Sequence, residues 1–203
     1  MKRWLRWTIS VLIVLGLGWA GGTVYGVHLT DTGALRVQGM SSDHLRIVRA
    51  EPTWFGKAVL FEDVDRGTFG VAQLRRVLLV FWQNGGGSYG YALEPGQPFT
   101  ATNYGSTNVR RTQQFVVGVK VQPPIKYITI GSEDPGNAQQ TQGPTLAHVQ
   151  SRPKVYQTVP MVNGYALFVT DALTAATYTF HAFDTDGKLV ADQLYAHPVR
   201  WVR

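Results

Sequence analysis

From Trp7 to Leu29 the chain reads WTISVLIVLGLGWAGGTVYGVHL, 23 residues without an Asp, Glu, Lys or Arg. As a helix that run spans roughly 34 Å, enough for the hydrocarbon core of a bilayer. Residues 30–43 (TDTGALRVQGMSSD) are small and polar and read as a stalk. From His44 onward the period falls to two, the mark of strands. Leu45–Glu51 and Lys57–Glu62 are parted by Pro52 and Gly56. Thr68–Gln83 follows, with a Val77–Trp82 core (VLLVFW) apolar on both sides, as in a central strand. Ser88–Leu93 comes after a Gly-rich turn, and Phe115, Val117, Val119 and Val121 alternate as in a half-buried strand. Ile125–Ile130, Val155–Val159, Tyr165–Thr170 and Tyr178–Ala182 are strand-like, and Asp184–Gly187 turns the chain into Lys188–Tyr195.

No window after Leu29 carries a capped helical period. Many short strands between turns predict an all-β fold, a two-sheet antiparallel sandwich (Ig-like or similar) behind one N-terminal transmembrane helix. The expected organisation is a basic leader over 1–6, an anchor over 7–29, a stalk over 30–43 and an extracytoplasmic β domain over 44–203. Two loops stand out, Asn84–Gly90 (NGGGSYG) and the polar Gly131–Pro144. Long loops on a rigid scaffold often carry function.

Charge places the ends of the anchor. Lys2, Arg3 and Arg6 precede the apolar run and no acid comes before Asp31, so the N-terminus is expected in the cytoplasm and the rest outside. The other reading is a cleaved signal peptide, with Gly18-Trp19-Ala20 as the processing site and a secreted domain. Gly18, Gly22 and Gly26 make overlapping small-xxx-small pairs that could pack two such helices. Past residue 29 the chain carries 16 basic and 13 acidic residues, too little clustered charge for a nucleic-acid partner. The absence of cysteine removes disulfides, thiol catalysis and thiolate metal sites. With no Asn-x-Ser/Thr sequon, the composition leans towards a bacterial envelope protein.

The chemistry-bearing motifs lack their contexts. Gly86-Gly-Ser-Tyr-Gly90 spells a nucleophile elbow around Ser88, and Gly85, Gly87 and Gly90 spell a dinucleotide loop, yet Pro95 and Pro98 forbid the helix both require. Glu62, Asp63 and Asp65, and again Asp184 and Asp186, resemble fragments of Ca²⁺ loops without the later ligands. The histidines His28, His44, His148, His181 and His197 are scattered, with His181 read as outward-facing. No catalytic residue, metal site or cofactor is assigned. The aromatic residues Trp82, Tyr89, Tyr91 and Tyr104, with Arg110 and Arg111, are the candidate binding set for a cell-wall glycan or an envelope protein, with core packing as the competing role for Trp82 and Tyr91.

The basic leader and anchor, followed by KAVLFED (57–63), TFGVAQL (68–74), FWQNGGGSYG (81–90) and FDTDGKLV (183–190), resemble a loose group of uncharacterised exported proteins of Gram-positive bacteria. In them a small β domain follows an N-terminal membrane segment. The resemblance covers residues 55–195 and implies location and architecture, with no activity or site residues. The expected function is a non-enzymatic envelope binding or accessory module. The alternatives are an envelope hydrolase, using Ser88 or a carboxylate pair, and a sensor dimerising through its anchor.

Overall fold

A computed structural model describes residues 4, 6–10, 13, 16, 26–36, 44–77, 80–107, 113–132, 143–171, 178–194 and 197–202. Strands dominate it and every strand pair is antiparallel, so the fold is all-β as expected. Among the described residues the sheets number three rather than two. Sheet A runs β1 (Val27–His28), β5 (Phe81–Tyr91), β4 (Thr68–Val77), β3 (Gly56–Asp63), β2 (Leu45–Thr53). Sheet B is β10 (Tyr165–Thr170), β7 (Gln113–Val121), β6 (Phe99–Thr107). Sheet C runs β13 (Arg200–Trp201), β12 (Leu189–Gln193), β11 (Tyr178–Phe183), β8 (Tyr127–Ser132), β9 (Tyr156–Pro160).

The sheets stack, with B in the middle. Leu60, Phe69 and Val71 of sheet A meet Val116 and Leu167 of sheet B. Val117, Val119 and Phe168 on the other face of B meet Ile128, Ile130 and Phe180 of sheet C. β7 was expected to be half-buried, but Val116, Val117 and Val119 are all buried because each face meets its own partner sheet. Gly118 makes the A–B approach possible, since a Cβ there would come within 2.6 Å of Leu60 Cδ1.

Two short helices cover the outer faces. α1 (Asp31–Leu35) seats Ala34 and Leu35 on Val59, Phe61, Ala72 and Leu74 of sheet A. α2 (Leu146–Gln150) places Val149 against Tyr156, Phe183 and Leu189 of sheet C. The side chains of Thr30 and Thr145 cap them, accepting from the backbone N–H of Gly33 and His148. Five residues are too few for a helical period to show in sequence. His181, read as outward-facing, is buried on the outer face of sheet C against the rings of Tyr156 and Phe183.

Three further expectations change. The described part of the stalk belongs to the domain, since residues 31–35 form α1, and Val27–His28, near the end of the apolar run, pair with Gln83 and Trp82; residues 37–43 lie outside the described residues. Gly26 has a φ of 63° and opens β1, so it takes no place on a helix face; Gly18 and Gly22 lie outside the described residues. The Thr68–Gln83 stretch is two strands, with Val77 opposite Phe81 across a hairpin turn. Residues 4, 6–10, 13 and 16 are helical, and among the described residues no helix is long and apolar enough to cross a membrane.

Lys57 fastens α1 to the sheet. Its Nζ donates to Asp31 Oδ2 at 2.6 Å and stands 4.2 Å from the centre of the Trp82 ring. Burial raises the Asp31 pKa, but the Lys57 ammonium and the Thr32 backbone N–H outweigh it and hold the carboxyl below its usual range. Lys57→Ala is expected to cost about 1–2 kcal/mol in thermal or denaturant unfolding, with the loss shrinking at high salt. An unchanged midpoint would show that apolar packing alone seats α1.

Candidate functional site

Alternation along β3 sends Ala58, Leu60 and Glu62 towards sheet B, and Val59 and Phe61 towards α1. Glu62 therefore sits at the seam between two sheets. Its Oε1 accepts from Tyr165 Oη at 2.6 Å and from Lys120 Nζ at 3.4 Å, and its Oε2 accepts from Arg46 Nη2 at 2.7 Å. Burial alone would raise its pKa; the hydrogen bonds of Tyr165 and Arg46, with the Lys120 charge, outweigh it and lower the pKa. The same carboxylate, added to burial, pushes the Tyr165 phenol well above its ordinary value of 10.0. Asp63 turns the other way, accepting from the Arg66 backbone N–H, and Asp65 pairs with His44 Nδ1 at 2.8 Å. The three acids thus have three different partners, and no group of metal-binding side chains occurs among the described residues.

Beside this seam, Phe69 stacks between two tyrosines, with ring centroids 6.1 Å from Tyr165 and 6.4 Å from Tyr91. Tyr89 and Tyr91, at the end of β5, are about two-fifths exposed (45% and 40%). Thr102 Oγ1 donates to Ser88 Oγ at 2.9 Å, and Ser88 Oγ donates to Tyr91 Oη at 3.3 Å. Tyr178 of sheet C accepts from Asn103 Nδ2 at 2.9 Å. Burial and the neighbouring Tyr91 push the Tyr178 pKa up, against the opposing effect of Asn103. The result is two exposed phenols, Tyr89 and Tyr91, backed by the hydroxyls of Ser88 and the buried Thr102, with the half-buried Tyr178–Asn103 pair beside Tyr91.

The glycines behind this face serve packing. The NGGGSYG stretch, expected as a flexible loop, lies within β5, paired to β4 across two register shifts. Gly86 has a φ of 120°, and a Cβ there would overlap the ring of Tyr104. Tyr104 Oη donates to the Gly85 carbonyl at 3.3 Å, so the hydroxyl end of a sheet B ring reaches the bare backbone of sheet A. Ser88 sits mid-strand opposite Val71, its hydroxyl partnered by Thr102 and Tyr91, neither of them a base that could take its proton. Both the elbow and the dinucleotide loop need a helix where β5 continues as strand.

The predicted aromatic set is therefore dispersed. Trp82 pairs with Arg76, whereas Tyr91 pairs with Phe69. Those partners lie seven residues apart on β4, roughly 23 Å. Trp82 packs against the α1 layer and Tyr104 in the A–B interior, while Tyr89 and Tyr91 stay at the surface. Arg110 and Arg111 lie outside the described residues, as does most of the Gly131–Pro144 loop. Sequence reading missed Glu62–Tyr165, residues 103 apart that only the stacking of sheets brings together. It also missed Tyr178 as a surface partner. Open cavities of about 520 Å³ beside α2 and about 380 Å³ beside β9 contain none of these tyrosines. In comparisons with family models, curated proteins and solved structures, the chain matches none.

Proposed function

We propose that this chain is a membrane-tethered, non-enzymatic envelope module that holds a tyrosine-rich face out towards a glycan or protein partner. The observation that carries the reading is in the leader. Trp4, Trp7, Ile9 and Ile13 stand on helical backbone with their side chains exposed, 48% to 85%. Apolar side chains in that state call for a lipid environment, and the uncharged run to which Trp7, Ile9 and Ile13 belong has the length of a span. The last residues of that run, Val27–His28, pair with β5, and α1 packs on sheet A next to them. Tyr89 and Tyr91 lie at the opposite end of β5 from the residues that pair with β1, a placement suited to a surface held away from the bilayer.

Fractionated cells treated with protease from outside test the tether. The expected result is full-length protein in the membrane fraction, resistant to alkaline extraction, whose β domain is digested. A shorter soluble species beginning near Gly21 would replace the tether with a secreted domain. For the binding face, retention of the full chain on purified cell-wall glycan should fall about tenfold or more in Tyr89→Ser/Tyr91→Ser, the scale of two aromatic contacts. Equal retention of both proteins would remove these tyrosines from the contact.

A further inference from the structure

Sheet A has two unlike ends. At one end lie the β2–β3 turn, the β4–β5 turn and the exit from β1. The pairs Thr53–Gly56, Gly56–Arg75, Arg75–Gln83 and His28–Trp82 place these side by side, across a row roughly 20 Å wide. The row is apolar where turns are ordinarily polar. Leu29 is 71% exposed, Val80 60% and Trp54 50%. Trp54 is presented firmly, its ring edge-on to the buried Phe55 at 5.2 Å. Immediately behind stand Arg75 and Arg76, both exposed, and no acid occupies the row among its described residues. The opposite end is charged rather than apolar: Glu62 meets Arg46 and Lys120, Asp63 meets Arg66 and Asp65 meets His44, and Val64 is its one exposed aliphatic among the described residues.

From this polarity we propose that the Leu29–Trp54–Val80 end of sheet A docks onto an anionic lipid surface, inserting its apolar side chains at headgroup depth while Arg75 and Arg76 meet lipid phosphates. The inference rests on the tethered reading and adds an orientation to it. Tryptophan and aliphatic side chains rimmed by arginine form the pattern that partitions into the interfacial region. Continuity supports the assignment, since the uncharged run ends at Leu29, itself a member of the row. A second copy fits less well, because a two-fold contact would set the arginine pairs against each other.

The test uses the cysteine-free background of the full chain. Single Trp54→Cys, Val80→Cys and Asp65→Cys variants are labelled with an environment-sensitive fluorophore and reconstituted in vesicles of phosphatidylcholine with phosphatidylglycerol. Labels at 54 and 80 should shift to the blue and be quenched by nitroxide-bearing lipid, while the label at 65 is quenched by aqueous iodide. Arg75→Glu/Arg76→Glu should lower the docked-to-undocked ratio about tenfold or more, the scale of two basic groups at an anionic surface. Vesicles of phosphatidylcholine alone should weaken docking in the unmodified chain. A chain that floats with vesicles but whose three labels are equally open to iodide overturns the docking and leaves the tether standing. A chain that fails to float overturns both. Labels at 54 and 80 shielded from iodide without lipid quenching, in a cross-linkable dimer, would give the face to a second copy and overturn lipid docking.

Discussion

Gly86→Ala is expected to destabilise the fold by about 3–5 kcal/mol, the sum of two separable penalties. The first is conformational. Gly86 has a φ of 120°, which an L side chain adopts only at a cost of about 1–3 kcal/mol. The second is steric, because the new methyl overlaps Oη and Cζ of Tyr104. Second-site changes tell them apart. Tyr104→Phe removes the hydroxyl but leaves the ring carbon in place, so it should rescue little. Tyr104→Val clears the space and should show a favourable coupling of about 1–3 kcal/mol with Gly86→Ala, leaving the backbone penalty behind. Denaturant unfolding of the four proteins measures this. A Gly86→Ala variant within about 0.5 kcal/mol of the original would show that the ring moves aside freely.

Glu62 is the second point of leverage. Glu62→Gln keeps the shape and removes the charge that Arg46, Lys120 and Tyr165 all face, and should cost about 2–3 kcal/mol. Tyr165→Phe should cost about 1.5–3 kcal/mol, and the double variant less than the sum, since one change weakens and the other removes the same hydrogen bond. The pH dependence follows from the directions of the two shifts. The Glu62 carboxyl is lowered in the folded chain, so its contribution is present above its ordinary value of 4.5 and fades as pH falls through the depressed value. The Tyr165 phenol is raised, so its contribution is present below 10.0 and fades as pH rises from there. Stability should therefore weaken at both extremes, with the acid limb flattened in Glu62→Gln and the alkaline limb flattened in Tyr165→Phe. Parallel pH profiles in all three proteins would contradict the assignment.

Period-two alternation located most strands, because one face of each is apolar whatever it packs against. Tyr165–Thr170 matches β10 end for end. The stacking was not legible, since burying both faces of β7 requires a third layer that no local pattern announces. β6 escaped notice because FTATNYGST is largely polar; its Thr102, Asn103 and Tyr104 are spent on contacts across sheets. VLLVFW read as a central strand because an apolar turn and an apolar core look alike in sequence; the structure opens the run at Val80. Of the candidate aromatic residues, Tyr89 and Tyr91 are exposed, while Trp82 and Tyr104 were claimed by packing.

The position of sheet B bears on how such a chain is delivered. A polypeptide emerging N-terminus first presents residues 27–91 before the rest, and the β2–β5 meander closes from neighbouring strands alone. Its inner face, with Leu60, Phe69 and Val71, must then wait for β6 and β7, and for β10, which follows only after β8 and β9. For that interval the nascent domain bears an uncovered apolar wall, the condition under which partly folded chains aggregate. The rate at which the chain emerges, and any chaperone that meets it, would bear more heavily on this protein's yield than on that of a two-sheet fold closed by consecutive hairpins.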